Sequence, residues 1–316
     1  MRLLVMNLRK TFLLFAAIFF ASTTLAAPAN FEQAKTEARR YVYHDRTEAG
    51  TFYCGCNWEW VGRSGGRTNL QSCGYQIRSQ PTRANRTEWE HIVPASSFGQ
   101  LRQCWQQGGR SNCGETDPVF RAMEADMHNL TPAVGEVNAD RSNYQFGVLP
   151  GTQKQHGACD FKVDFSARTA EPRDAVKGQI ARIYFYIHDR YDVPMSRQQQ
   201  QLMLAWHRQH PVSDWERERD RRIAARMGHS NPFVTVERTW TLGHKNSGDG
   251  LFSALPKNHP VTQKIEGVII GNKNSKVYHL PQGCPSYNRV AEQNRIEFAI
   301  EAEAQAAGFT KAGNCR

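Results

Sequence analysis

Arg86-Thr87-Glu88-Trp89-Glu90-His91-Ile92-Val93-Pro94-Ala95 is the stretch on which the reading of this chain turns. Its aromatic and β-branched residues, stopped by a proline, suit a strand. A carboxylate directly before a histidine is odd in a strand that only builds a core. Histidine has the side chain whose pKa suits a general base near neutrality. A carboxylate suits magnesium, which takes one or two protein oxygens and keeps its waters. A base for water and a cation against developing phosphate charge are what phosphodiester hydrolysis needs. Adjacent residues on a regular strand face opposite ways. Glu90 and His91 can therefore serve one site only if the strand is distorted there or the site sits at its edge.

Three downstream groups complete the pattern. Arg110, after Gly108-Gly109, can hold a phosphate through two parallel hydrogen bonds. Thr131-Pro132 reads as a helix start, a hydroxyl cap before proline at the first position. Asn138 then lies two turns in and offers a neutral amide oxygen to a metal. Glu124, Asp126, His128 and Asn129 cluster just before it as further candidates.

Composition places this chemistry outside the cell. Arg2, Arg9 and Lys10 precede an apolar run, Phe12 to Phe20, and small residues follow at Thr24-Leu25-Ala26. This predicts a signal peptide over 1–26 with Ala27 as the new N-terminus. The run is too short for a span of about 20 residues, so a membrane anchor is the weaker reading. Losing three basic residues takes the formal charge from +10 to +7. That excess favours polyanions, although alone it also fits simple solubility. Eight cysteines in an exported chain suggest disulfides. Six lie early and two late, so each group can close within itself. Cys54 and Cys56 are too close to pair comfortably with each other. Zinc competes for such a C-x-C, but no C-x-x-C or H-x-x-x-H partner accompanies it.

Along the chain, 31–44 reads as a helix capped by Asn30, with Ala34, Ala38 and Tyr41 on one face. Residues 50–90 read as strands and turns, including Tyr75-Gln76-Ile77-Arg78. Asp117-Pro118 starts a helix. Val176, Ile180, Ile183, Tyr184, Ile187 and Tyr191 recur at helical spacing. Ser196 and Ser213 read as caps, the second with Glu216 in a capping box and Gly228 as a stop, and Glu216 to Arg222 as a solvated face. Residues 241–259 read as a linker. Val268-Ile269-Ile270 and Val277-Tyr278 then suggest two strands around a turn, and 288–307 a helix. This second module, 260–316, is too small to be secure without a staple.

Four blocks resemble the bacterial endonuclease I family of periplasmic or secreted nucleases: Glu88 to Ala95, Arg102-Gln103-Cys104-Trp105, Met123 to Leu130 and Gly135 to Arg141. Phe52-Tyr53-Cys54-Gly55-Cys56, Ala181 to Tyr186 and Asp214-Trp215-Glu216 extend the likeness over roughly 30–238. The resemblance implies a ββα-metal core in a mixed α/β domain and an α+β fold class overall. It implies His91 as general base, Glu90 and Asn138 as metal ligands, Arg110 as a phosphate-binding residue and Glu124 as a group orienting the histidine. The cofactor implied is Mg2+, or another divalent cation such as Mn2+. Cysteines expected near Arg217 and Arg238 are missing, consistent with one absent disulfide. The C-terminal stretch Gly271 to His279, Cys284-Pro285-Ser286-Tyr287 and Gly313-Asn314-Cys315 is similar to the zinc domain of Ada-type repair proteins, which uses four thiolates. Only Cys284 and Cys315 remain here. A disulfide between them is the expected use, with zinc through these two and His279 as the other reading.

The sequence thus predicts an exported, largely nonspecific endonuclease acting on DNA and RNA as a monomer, with no membrane partner. A non-catalytic exported DNA-binding or uptake protein accounts for the charge but gives Glu90-His91 no task. A metal-dependent wall or protein hydrolase lacks H-E-x-x-H or a nucleophile elbow.

Overall fold

The computed structural model describes residues 27–253, 268–298 and 301–315. The leader assigned to 1–26 lies outside the described residues. Asn30 caps α1 (Phe31–Glu37), its side chain accepting from the Gln33 N–H at 2.9 Å. A π-turn over Ala38–Val42 follows, closed by Tyr43 N–H to Ala38 O. Its extra residue rotates Tyr41 off the expected apolar face and brings Val42 and Tyr43 into the core.

β1 (Trp58–Val61) and β2 (Gly65–Thr68) form a hairpin, and the single turn α2 (Pro81–Ala84) leads into β3 (Arg86–His91). The expected strand at 75–78 makes only an isolated bridge, Tyr75 to Gly157. The N–H groups of Arg78, Ser79 and Gln80 instead donate to the buried Glu136 carboxylate, at 3.1, 2.7 and 2.5 Å. A carboxylate here does the work of a neighbouring strand.

Three helices follow: α3 (Ala95–Gly99), α4 (Gln103–Thr116) and α5 (Pro118–Glu124). Asp117 caps α5 as expected, accepting from Val119 and Phe120. β4 (Leu130–Val134) then pairs antiparallel with β3, and α6 (Gly135–Arg141) packs on both. The expected helix start at Pro132 is therefore wrong. Strand order β1-β2-β3-β4 makes β4 an edge, where a proline is tolerated, and Pro132 lies opposite Trp89. Asn138 consequently sits in the first turn of α6 rather than two turns into a helix.

β5 (Gln145–Phe146), β6 (Lys162–Asp164) and β7 (Thr169–Glu171) form a small second sheet in the order β5-β7-β6. The spine of the core is α7 (Asp174–Arg190), whose apolar residues are buried as their spacing predicts. It packs on α8 (Arg197–Gln209), which Ser196 caps; α9 (Asp214–Met227) follows, capped by Ser213. Gly228 ends α9 at φ +79°, a conformation that favours glycine. No capping box forms, because Arg182 takes both oxygens of Glu216, each at 2.6 Å. Arg219 and Asp220 are buried too, so the run from 216 to 222 is not simply a solvated face.

The expected linker falls partly outside the described residues. Its described part is held on α7, where Asp189 accepts from Ser247 Oγ at 2.9 Å and pairs with His244 Nε2 at 2.7 Å, and it includes α10 (Asp249–Ser253). Beyond it, β8 (Ile269–Asn272) and β9 (Val277–His279) make the hairpin the sequence suggests. The single helix expected over 288–307 is not there. Two 3-10 turns and β10 (Arg295–Phe298) occupy its first part, because the alternating Ile296 and Phe298 extend the sheet beside β8. Among the described residues of that stretch only α11 (Glu301–Ala306) is α-helical, and β11 (Thr310–Lys311) joins β9. The disulfides are Cys54–Cys159, Cys56–Cys73, Cys104–Cys113 and Cys284–Cys315, so each cysteine group closes within itself.

Candidate active site

The register of β3 on β4 is unbroken from Thr87 to His91, so the strand is not distorted at Glu90-His91. Its other side differs. β2 pairs with β3 only at Arg86 and Thr87, and among the described residues no strand flanks Glu88 to His91 there. At such an open edge, residues from both faces of a strand border the same space. A cleft of about 530 Å³ lies there, lined by Glu88, Glu90, His91, Arg110 and Asn138 and walled by Phe31. Of the two ways Glu90 and His91 could share a site, the edge is the one realised.

His91 is buried, and its Nε2 lies 2.9 Å from the main-chain oxygen of Glu124. A carbonyl can only accept, so Nε2 carries the proton and Nδ1 the lone pair in the neutral ring. Burial, with Arg110 and Arg141 nearby, lowers the His91 pKa to about 3. Phe31 packs on the ring, centroid to centroid 4.7 Å.

Glu90 is buried beside it and receives the Tyr53 hydroxyl at 2.9 Å and Arg141 Nη1 at 3.4 Å. Burial raises its carboxyl to about 7, against the pull of Arg141 and Tyr53. Arg141 also donates to the carbonyls of His91 and Ile92, tying α6 to the end of β3. Asn138 Nδ2 donates to Glu88 at 3.1 Å, which leaves Oδ1 as its oxygen for another partner. Arg83 donates to both oxygens of Glu88, including the one Asn138 uses, and Arg86 reaches Oε1 at 3.3 Å. Carboxylate and amide oxygens gathered in one cleft are the donor set that hard divalent cations take.

Arg110 stands just past Gly108 and Gly109, whose backbone breaks α4, inside the ring closed by Cys104–Cys113. Its Nε donates to Glu124 Oε1 at 2.6 Å, leaving the two terminal nitrogens outside that bond. Glu124 thus lies against the histidine it was expected to orient, but it meets that ring through its main-chain oxygen, and its carboxylate holds Arg110, a contact not foreseen from sequence.

The other acidic and polar candidates are elsewhere. Asp126 accepts from Tyr186 and Tyr191 at 2.7 and 2.8 Å. His128 lies against the carbonyl of His229, and the Asn129 amide bridges the backbone of Val93. All three are buried structural groups. His279, Cys284 and Cys315 bring their ligand atoms within 4.8 Å of one another, but the two sulfurs are joined as the expected disulfide. Tyr53, Glu88, Arg141 and Phe31 were not singled out from sequence. The first three fall within recognisable blocks, and only their roles were illegible. Phe31 carried no signal, because its place over His91 depends on how α1 docks.

Residues 30–237 match the endonuclease I family model. An extracellular deoxyribonuclease of Aeromonas hydrophila is 51% identical over 205 residues, covering 65% of this chain and 88% of that protein. A periplasmic deoxyribonuclease of the same organism is 48% identical over 217 residues, 67% of this chain and 91% of that one. A more distant relative is an extracellular ribonuclease of Bacillus subtilis (strain 168), 32% identical over 127 residues, 34% of this chain and 43% of that one. With a family match over most of its length, and with disulfides suited to life outside the cytoplasm, this chain belongs to the endonuclease I family of exported nucleases.

Proposed function

We propose that the protein is a largely sequence-nonspecific, Mg2+-dependent endonuclease that cleaves DNA and RNA and leaves 5′-phosphate ends. The observation that carries this reading is the meeting of Glu90, His91, Arg110 and Asn138 at one open strand edge. The relatives support both substrates, two being deoxyribonucleases and one a ribonuclease. Residues 27–240 form the catalytic unit, acting as a monomer free of membrane, and 260–316 an accessory module.

His91 Nδ1 takes the proton of the attacking water. The bond to Glu124 O keeps that nitrogen unprotonated and aimed, and burial keeps the ring neutral across the physiological range. The incoming phosphate is an anion, so its approach raises the basicity of the ring where it is needed. Glu90 and Asn138 would hold the divalent cation, which offsets charge on the phosphate and the leaving oxygen. Tyr53 and Arg141 fix Glu90, and Glu88 fixes Asn138. Arg110 steadies the scissile phosphate, already oriented by Glu124. Contacts of this kind fall on phosphates, which carry no sequence information.

The test is supercoiled plasmid and a folded RNA incubated with oxidised protein in Mg2+, Mn2+ or EDTA. Nicking and linearisation with either cation and none in EDTA is the expected result, with ends that ligate without prior phosphorylation. Cleavage that persists in EDTA, or none with either cation, would overturn the reading.

A further inference from the structure

A second cleft of about 770 Å³ adjoins the first, runs from the open part of β3 onto its short ladder with β2, and shares Phe31, Glu88 and Trp89 with the first. That volume is within the range of ligand sites. Lys35 borders it from α1 while Arg67 and Arg86 border it from the sheet, and Glu88 is its one acidic lining residue. Arg67 and Arg86 lie directly opposite each other on β2 and β3. Like charges in that register destabilise a sheet. Their partners relieve this only partly: Arg67 pairs with Glu59 at 2.7 Å with both side chains more than half exposed, and Arg86 reaches Glu88 at 3.3 Å. Exposed pairs of this kind contribute little. Two further features keep the cleft open and give it an apolar side. Gly65 has no steric reason to be glycine, since a Cβ there would meet nothing nearer than Val61 O at 3.4 Å. Val61 itself is 44% exposed. Gly65 lies just where β2 leaves β3 unpaired, and its missing side chain leaves room there for a ligand to come close.

We propose that this second cleft binds the nucleotides flanking the scissile phosphate on the same strand. Lys35, Arg67 and Arg86 take successive backbone phosphates, and Val61 and Phe31 take sugar and base edges. The inference rests on the nuclease reading and adds a substrate track to it. Its signature is a dependence on substrate length. Initial rates are measured for wild type, Lys35→Ala/Arg67→Ala and Gly65→Leu on two substrates, a dinucleotide with one phosphodiester bond and a single-stranded 12-mer, from 50 to 400 mM salt. In the double variant KM for the 12-mer should rise about tenfold more than KM for the dinucleotide, and the gap should narrow as salt rises. Gly65→Leu, which changes no charge, should raise KM for the 12-mer at all salt concentrations. Equal effects on both substrates, or none on either, would overturn the track. A wild type that cuts supercoiled plasmid but neither short substrate would also overturn the track, whereas one that leaves the plasmid intact as well would overturn the nuclease reading, so the two failures are distinguishable.

Discussion

His91 owes its tautomer to a main-chain oxygen rather than to a side chain, and this separates two substitutions. His91→Ala removes the proposed base and should lower kcat by about 10²–10⁴-fold while binding of DNA persists. Substrate affinity measured by anisotropy, beside the rate, checks this; near-normal turnover would remove His91 from the chemistry. Glu124→Gln leaves the carbonyl that orients His91 but releases Arg110. The pH profile of kcat should therefore keep its shape while KM rises, by about tenfold for a weakened charged contact. A shifted pH profile with unchanged KM would show that the carboxylate, not the carbonyl, positions the base. Asn138→Ala and Glu90→Ala should both raise the magnesium concentration needed for half-maximal rate. Metal titrations that overlay the wild type would refute them as ligands.

Among the elements, α4 carries the sharpest dependence on its surroundings. The break at Gly108 and Gly109 sets Arg110 at the cleft, and the Cys104–Cys113 bridge closes the loop around it. Replacing both cysteines by alanine should cost about 2–3 kcal/mol, the loop entropy of so short a ring. It should also weaken substrate binding more than wild-type stability alone would suggest, because Arg110 loses its frame. Thermal melts beside KM values decide this, and an unchanged KM would show that Glu124 alone holds the arginine. Much at this scale was legible in the sequence. Asn30, Asp117, Ser196, Ser213 and Gly228 marked helix ends by local chemistry, and local chemistry decided them. The failures came where a distant partner outweighed a local signal. Thr131-Pro132 looked like a helix start until β3 claimed it as an edge strand. Glu216 looked like half a capping box until Arg182 claimed its carboxylate. That Glu90, His91, Arg110 and Asn138, the residues proposed for catalysis, belong together was legible because their spacing in the blocks is distinctive, and they do line one cleft; the groups that hold Glu90, Tyr53 and Arg141, required the fold.

Taken as a whole, the molecule buries histidines that must stay uncharged. Burial lowers His128 to about 3 and His188 to about 4, whereas each titrates near 6.5 when unfolded. Above about pH 6.5 both states are neutral and neither residue affects stability. As pH falls below that value the unfolded chain takes up protons that the folded chain refuses, until the folded values are reached. Stability should thus decline toward acid by up to about 1.4 kcal/mol per pH unit for each histidine. Urea midpoints from pH 7.5 to 4.5 measure the slope, and His188→Gln should make it shallower. A midpoint that does not move with pH would contradict the buried, neutral assignment.

The short ladder between β2 and β3 has a consequence for how such a chain could change over time. Continuing that ladder would set Gly65 opposite Glu88 and Ser64 opposite Trp89, positions now occupied by the approach to the hairpin turn. A hairpin lengthened by a few residues in each arm could zip along β3 and wall off the cleft without altering one catalytic side chain. Insertion length at 62–64, rather than substitution at Glu90 or His91, is then the simplest evolutionary route to a silent, strand-capped descendant. The reverse deletion would be a route by which a plain four-stranded sheet acquires a groove.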